Sequence, residues 1–244
     1  MKTSVCMATY DGAEYIRPQV ASILKQLHPD DELIVVDDNS EDSTKDIIQD
    51  LHDPRIQLFT NPTNLGAPKT FERALRIARG ELIFLSDQDD VWLENKVLLV
   101  TNQLMTQGAD LVVHDAIVVD GDEVLSNSLF ALRGSSKGIL RNLVSNTYTG
   151  CCMAFKTGIL KRVLPIPSRR GIWHDAWIGI LADFYRYKVS FLPIPLMLFR
   201  RHPDNASTLR TRNVQAVLQD RLALSSALAL HVATNRIAHE NRAV

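Results

Sequence analysis

The sequence lacks the glycine-rich loops of two large nucleotide-binding classes. No G-x-G-x-x-G follows its first strand and no G-x-x-x-x-G-K-[ST] occurs anywhere. A dinucleotide-binding Rossmann site and a P-loop nucleotidase are therefore excluded. Cysteine is scarce: Cys6, Cys151 and Cys152 are the three present, two of them adjacent, with no C-x-x-C. That is poor material for a disulfide framework and fits a reducing cytoplasm. No run of about 18 apolar residues exists, so no membrane-spanning helix is expected. The first ten residues are too short and too polar for a signal peptide. Neither point bears on attachment to a membrane surface. Charge of one sign is also missing: 27 Lys and Arg stand against 28 Asp and Glu, for a net charge of -1. A broad basic field for nucleic acid is excluded on that balance. No internal repeat, low-complexity segment or clear linker interrupts the chain.

What is there suits an ordinary globular protein. The 244 residues, 45% hydrophobic and 23% charged, fit one α/β domain with or without a C-terminal extension. Short apolar runs alternate with helical patterns. Strands are expected at 4–8, 32–36, 55–59, 81–85 and 111–119. Helices are expected at 13–26, 43–51, 67–79 and 95–105. The continuous apolar run at 32–36 reads as a parallel strand buried on both faces. This repetition predicts a doubly wound, mainly parallel sheet with helices on both faces. The second half is less regular. It offers a tight turn at 120–123, a small-residue strand at 149–155, a helix at 175–187 and a short strand at 196–199 after two prolines. An amphipathic helix or helix pair runs from about 214 to 237. Its Leu218, Leu222, Leu224, Leu228 and Leu230 leave three uses open: packing on the domain, pairing with a second copy, or touching a membrane. Packing is the expected one.

Ligands of such sheets bind beyond the carboxyl ends of the strands, and acidic clusters fall there. Asp87 and Asp89, two apart on an extended segment, face one ligand together. With Asp90 they make three carboxylates after a buried strand, and such crowding calls for a cation. Oxygen ligands favour Mg²⁺ or Mn²⁺. Helix capping accounts for one of the three, Asp90. Asp37-Asp38 ends the second strand, where Asn39 or Ser40 can also cap the helix that follows. Asp38 is the better candidate for reading a base or ribose. Ala8-Thr9-Tyr10-Asp11 can bond or stack on a nucleoside, or form a plain turn. Asp175, between Trp173 and Trp177, sits in partly apolar surroundings that raise a carboxylate's pKa and suit a base. It can equally cap the next helix. Arg200-Arg201-His202-Pro203-Asp204-Asn205 suits a phosphate-rich site, with His202 as a further metal ligand.

Taken in order, Ala-Thr-Tyr-Asp-Gly at 8–12, Val-Val-Asp-Asp-Asn-Ser at 35–40, Asn64-Leu65-Gly66, Ser-Asp-Gln-Asp-Asp-Val-Trp at 86–92 and His174-Asp175 resemble family 2 of the glycosyltransferases, which has the GT-A fold. The 86–92 run and the Arg-Arg-His segment are most similar to the bacterial rhamnosyltransferase branch. The resemblance implies a GT-A domain at 1–205, with a nucleotide-sugar half to about 119 and an acceptor half from about 120. A helical extension at 206–244 follows. It implies that Ala8, Thr9, Tyr10, Asp38 and Asp87 hold the nucleotide sugar. Asp87 and Asp89 would form the DXD motif and hold Mn²⁺ or Mg²⁺ with His202. Asp175 would be the catalytic base, and Gly150, Cys151, Trp173 and His174 would line the acceptor side. Two departures stand out: Asp11 where many relatives carry Asn, and Ala176 where this branch often has Trp. The implied partners are a dTDP- or UDP-sugar and a glycan or lipid-linked glycan. The implied location is the cytoplasm or the inner face of the membrane, with a homodimer open. A nucleotidyltransferase would need a basic glycine-rich loop, and Ala8 to Gly12 has one glycine and no cation. A non-catalytic glycan-binding module would leave the metal carboxylates unexplained.

Overall fold

The two most apolar stretches of the first half lie side by side at the centre of the N-terminal sheet. In the computed structural model they are β1 (Thr3–Thr9) and, after helix α1 (Ile16–Leu24), β2 (Glu32–Asp37). All six residues of β2 are buried, which is why its sequence does not alternate. Each of its aliphatic side chains contributes about 1.5–3 kcal/mol on burial. Helix α2 (Thr44–Gln49), β3 (Ile56–Thr60), α3 (Ala67–Ile77) and β4 (Leu82–Ser86) follow. Strands β1, β2, β3 and β4 are parallel neighbours in the order β3-β2-β1-β4. The structure describes residues 1–202 and 214–240. Pro203, Asp204 and Asn205 of the arginine–histidine segment lie outside the described residues.

Beyond β4 the sheet becomes mixed, whereas sequence periodicity led to a mainly parallel one. Strand β5 (Val91–Trp92) and helix α4 (Lys96–Met105) come first, then the hairpin of β6 (Leu111–Asp120) and β7 (Glu123–Ser126). Short helices α5 (Leu129–Arg133) and α6 (Ile139–Val144) precede β8 (Met153–Lys156), α7 (Leu160–Val163) and α8 (His174–Phe184). Strand β9 (Val189–Arg200) and helix α9 (Val214–Glu240) complete the described chain. Strand β8 is antiparallel to both β4 and β6, while β6 and β9 run parallel. The order from one edge to the other is β3-β2-β1-β4-β8-β6-β9-β5.

Two local outcomes differ from sequence expectation for identifiable reasons. The segment expected as one small-residue strand divides: Gly150–Cys152 forms a 3₁₀ turn and only Met153–Lys156 pairs as β8. The short strand expected at 196–199 is the end of twelve-residue β9. Its prolines, Pro193 and Pro195, fall where the register against β6 slips, between His114 and Asp115 and again before Ile117. A bulge is where a strand can carry a residue without an N–H. The strand therefore continues and delivers Arg200 and His202 to the end of β4.

Helix α8 packs with almost no clearance on the segment before β8. A Cβ added at Gly179 would lie 2.3 Å from the Tyr148 ring. Tyr148 is buried, and its hydroxyl donates to Asp183 Oδ2 at 2.8 Å. Gly179→Ala is expected to cost about 1–3 kcal/mol by overpacking. Thermal unfolding should show a fall of roughly 2–4 °C per kcal/mol for a chain of this size. An unchanged melting temperature would mean this packing is looser than described.

Candidate active site

Strands β1, β2 and β4 are parallel, so their carboxyl ends open on the same edge and their loops meet there. The loop after β1 is held by side chains from the other two. Gln88 holds both sides of Tyr10: its Oε1 accepts from Tyr10 N at 2.8 Å and its Nε2 donates to Tyr10 O at 2.9 Å. Asp11 N donates to Ser40 Oγ at 3.0 Å, and Asp11 Oδ1 accepts from Glu41 N at 2.8 Å. Thr9 is buried with its hydroxyl on Asp37 Oδ2 at 3.1 Å, Ala8 is half-buried, and the Tyr10 ring is exposed.

The two carboxylates after β2 have different tasks. Asp37 is buried and holds Thr9, Ser40 N and, at 3.9 Å, Lys45 Nζ. Asp38 accepts from Asn61 Nδ2 at 2.7 Å and from the backbone N–H groups of Leu65 and Gly66, both at 2.8 Å. It fastens the 64–66 loop, and its Oδ2 retains room for one further donor. Neither Asn39 nor Ser40 caps α2. The N-cap is Ser43, and Asp42 Oδ1 accepts from Thr44 N at 2.9 Å.

The acidic loop after β4 is the electrostatic centre. Gln19 of α1 anchors its start, donating to Ser86 Oγ at 2.7 Å and to Asp87 O at 3.1 Å. Ligand atoms of Asp87, Asp90 and Cys151 lie within 4.8 Å of one another. Asp89 Oδ2 meets His202 Nε2 at 2.8 Å. The His202 ring stacks on Tyr15, centroids 4.5 Å apart. The three expected metal ligands thus fall into two adjoining groups: Asp87 with Asp90 and Cys151, and Asp89 with His202. Burial, with Asp89 and Asp175 close by, pushes the Asp87 carboxyl up to about 7. Burial, then Asp89 and Asp87, hold Asp90 well above the carboxylate range. Asp90 Oδ1 accepts from Arg200 N at 3.1 Å. Its Oδ2 is buried with no N–H or O–H donor among the described residues, and the weakly donating Cys151 thiol sits beside it. Crowded carboxylates, a histidine and an orphaned oxygen fit a divalent cation.

Asp175, one of the charges that act on Asp87, lies in the first turn of α8 rather than at its cap, which is Trp173. Its Oδ1 accepts from Ala176 N at 2.6 Å and faces Asn146 Nδ2 at 3.4 Å. The aromatic flank differs from expectation. Trp177 is buried away from the carboxylate, donating to Val163 O at 2.8 Å, while Trp173 is 39% exposed. His174 is buried and stacked on Phe71 of α3, centroids 4.0 Å apart. Burial pushes its imidazole below the ordinary histidine value. Gly150 is the residue that admits this ring, since an added Cβ would lie 2.6 Å from Nε2. Gly150, Cys151 and His174 are therefore packed behind this surface, and of the four residues expected on the acceptor side only Trp173 reaches solvent.

Sequence reasoning missed Gln19, Gln88, Asn146 and Lys96. Lys96 carried a legible signal: it shares a four-residue spacing with Val100 and Leu104, so it occupies the apolar stripe of α4. All three are buried. Lys96 Nζ donates to Cys151 O at 3.0 Å and lies 4.0 Å over the Trp92 ring. Burial pushes its ammonium down to about 8, against the opposing pull of the nearby acids. The amides gave no signal, because their partners are distant in sequence.

The displaced Asp87 carboxyl gives a stability prediction. Folded, it keeps its proton to about pH 7, against an ordinary value of 3.8 for the unfolded chain. Stability therefore falls as pH rises between those values. In metal-free buffer, Asp87→Asn should raise the melting temperature above pH 7, by about 2–4 °C per kcal/mol. The gain should fade as pH falls toward 4. A gain that is equal at pH 4 and pH 8, or absent at both, would contradict this electrostatic account.

Comparison with known proteins places this geometry. The chain is 27% identical over 184 residues to the Escherichia coli UDP-Glc:alpha-D-GlcNAc-diphosphoundecaprenol beta-1,3-glucosyltransferase WfgD, covering 74% of this chain and 70% of that protein. Its fold is similar to that of Staphylococcus aureus TarS 1-349 in complex with UDP-GlcNAc, with a TM-score of 0.73 at 20% identity. That likeness covers 93% of this chain and 66% of TarS 1-349. It is also similar to the mannosyltransferase PcManGT from Pyrobaculum calidifontis in complex with GDP-Man and Mn2+, with a TM-score of 0.63 at 17% identity, covering 100% of this chain and 80% of that one. The chain spans about two thirds of the length of the first two. The fold is the GT-A fold. From β1 through the acidic loop to α7, residues 4–164 match the model for glycosyl transferase family 2, and the chain belongs to that family.

Proposed function

We propose that this chain is an inverting, metal-dependent hexosyltransferase that moves a sugar from a nucleoside diphosphate donor to a glycan hydroxyl in cell-surface polysaccharide synthesis. One observation carries the reading: the acidic loop gathers Asp87, Asp90 and Cys151 within 4.8 Å, sets Asp89 on His202, and has Asp175 among the charges that act on Asp87. A base beside a cation site is what inverting transfer needs.

Thr9, Tyr10 and Ala8 hold the nucleoside at the end of β1, the exposed Tyr10 ring offering a stacking surface. Asp38 contributes the free capacity of Oδ2 and the loop it fastens. Asp175 takes the proton of the acceptor hydroxyl. That oxygen bonds to the anomeric carbon from the face opposite the diphosphate as the carbon–oxygen bond to the diphosphate breaks. Mn²⁺ or Mg²⁺, held by Asp87, Asp89 and His202, would supply Lewis-acid stabilisation of the leaving diphosphate. Trp173 meets the acceptor, and Gly150, Cys151 and His174 set the wall behind it. In this reading residues 1–119 form the nucleotide-sugar half, residues 120–205 the acceptor half, and 206–244 a helical extension.

A UDP-sugar is favoured as donor by the UDP-sugars named for WfgD and TarS, with a dTDP-sugar such as dTDP-rhamnose as the competing class. A lipid-linked glycan acceptor is supported by the diphosphoundecaprenol substrate of WfgD. It implies work at the inner membrane face, and no described helix is long and apolar enough to cross a membrane.

Thermal shift with UDP-, dTDP- and GDP-sugars, each with Mn²⁺ or with EDTA, tests donor and metal together. One donor class should stabilise the wild type by about 2.7 kcal/mol at a hundredfold excess over Kd. EDTA and Asp89→Ala should each abolish that gain. No stabilisation by any donor with metal would leave a glycan-binding module as the better reading. For the base, Asp175→Asn should lower kcat by about 10²–10⁴ while donor stabilisation stays at the wild-type level. Retained activity would sink the assignment.

A further inference from the structure

Helix α6 has apolar side chains on two faces: Ile139 and Leu143 pack on the core, while others point outward. Its one wholly buried residue is Asn142, whose side-chain amide donates to Ser136 O at 3.0 Å and Gly138 O at 2.9 Å. The Asn142 carbonyl accepts from Thr147 N at 2.8 Å and Thr147 Oγ1 at 3.0 Å. Leu140 and Val144, four residues apart and so on one face, are 81% and 75% exposed. Leu132 of α5 is exposed too. Rolling the helix to hide Leu140 and Val144 would break the four hydrogen bonds of the Asn142 side chain and pull Ile139 and Leu143 off the core. The orientation is therefore fixed, and Leu140 and Val144 are held outward.

The stretch of chain that carries this face holds charge of one sign. Residues 124–174 contain eight of the chain's 27 Lys and Arg and none of its 28 Asp and Glu. Lys137 and Arg141 bracket Leu140 and are exposed. Helix α6 packs on α9, and exposed Arg169 and Arg170 lie by the same helix, Arg169 Nη1 reaching Ser226 Oγ at 3.3 Å. The acids that face this region are turned inward. Asp183 accepts from Gly138 N and Tyr148 Oη, both at 2.8 Å, and Asp220 is buried against Gly171.

We propose that the α5–α6 face docks on an anionic lipid surface. Leu132, Leu140 and Val144 enter the boundary between headgroups and acyl chains, and the flanking cations neutralise lipid phosphates. A second copy of the chain fits less well. A two-fold contact through this face would set the same cations against each other. The placement also serves the site, in a step that rests on the lipid-linked acceptor proposed above. Asn146, two residues beyond α6, faces Asp175 Oδ1 at 3.4 Å. Docking here holds the base near headgroup level, where the sugar of a lipid-linked acceptor lies.

Co-sedimentation with vesicles of phosphatidylglycerol in phosphatidylcholine, and of phosphatidylcholine alone, tests the surface. The wild type should partition to the anionic vesicles, less in high salt, and at least about tenfold more weakly to the neutral ones. Leu140→Asp/Val144→Asp and Lys137→Glu/Arg170→Glu change only exposed side chains, and each should weaken binding by about tenfold or more. A wild type that stays in the supernatant, or variants that bind as well as it does, would overturn the proposal. A wild-type dimer in sedimentation velocity that dissolves in the aspartate variant, without vesicle binding, would assign the face to a second copy. Transfer to a short-chain, water-soluble acceptor separates this test from the enzymatic one. It should be unchanged in both variants. If the wild type shows none, the transferase reading fails while the vesicle result stands by itself.

Discussion

Asp87, Asp89 and Asp90 leave the end of one buried strand together, and their mutual repulsion shapes what surrounds them. Each neighbour answers some part of that charge. His202 arrives on β9 to meet Asp89, and the Arg200 N–H meets Asp90. Lys96 is buried under the same loop, although an ammonium in an apolar stripe is costly to bury. Its partners there are a backbone carbonyl and the Trp92 ring, so its charge remains to act on the acids. The long course of β9 past two prolines and two register slips is part of this arrangement. Without it the histidine would not reach the loop.

The remaining unfavourable energy is visible in the raised carboxyls of Asp87 and Asp90. Such a site is poised for a cation: the protein has assembled the oxygens and taken up the cost of bringing them together in advance. Asp175 adds to the same field. It is mounted on the first turn of a helix whose Gly179 interlocks with Tyr148 of the segment before β8, so its position is set by close packing.

Much of this was legible in the sequence. The apolar runs of β1, β2 and β4 declared a buried parallel sheet because no polar side chain breaks them, and the clusters at 37–38 and 87–90 declared its functional edge. His202 was legible in the sequence as a companion of the acidic loop, and the fold brings it onto Asp89, whereas His174 is packed on Phe71. The mixed half of the sheet was harder to read. A four-residue strand such as β8 has no periodicity to show, and its direction is decided by partners far away in sequence. The division of labour between Asp37 and Asp38 was equally hidden. Both end the same strand, and only the fold shows which one turns inward to Thr9 and which one fastens the 64–66 loop. Trp177 misled for a related reason: closeness in sequence to Asp175 suggested an apolar sleeve, but two residues along a helix is about 200° around it.

Gln88 has a mechanical effect that reaches past its own loop. Its single amide grips both the N–H and the carbonyl of Tyr10, while Gln19 tethers the start of the same loop from α1. The end of β1 and the end of β4 are thus one hinged plate rather than two independent flaps. The Tyr10 backbone and the backbone of the acidic loop are therefore tied to each other through side-chain amides. Occupants of the two loops would be linked through one glutamine without touching, and any such influence is necessarily mutual.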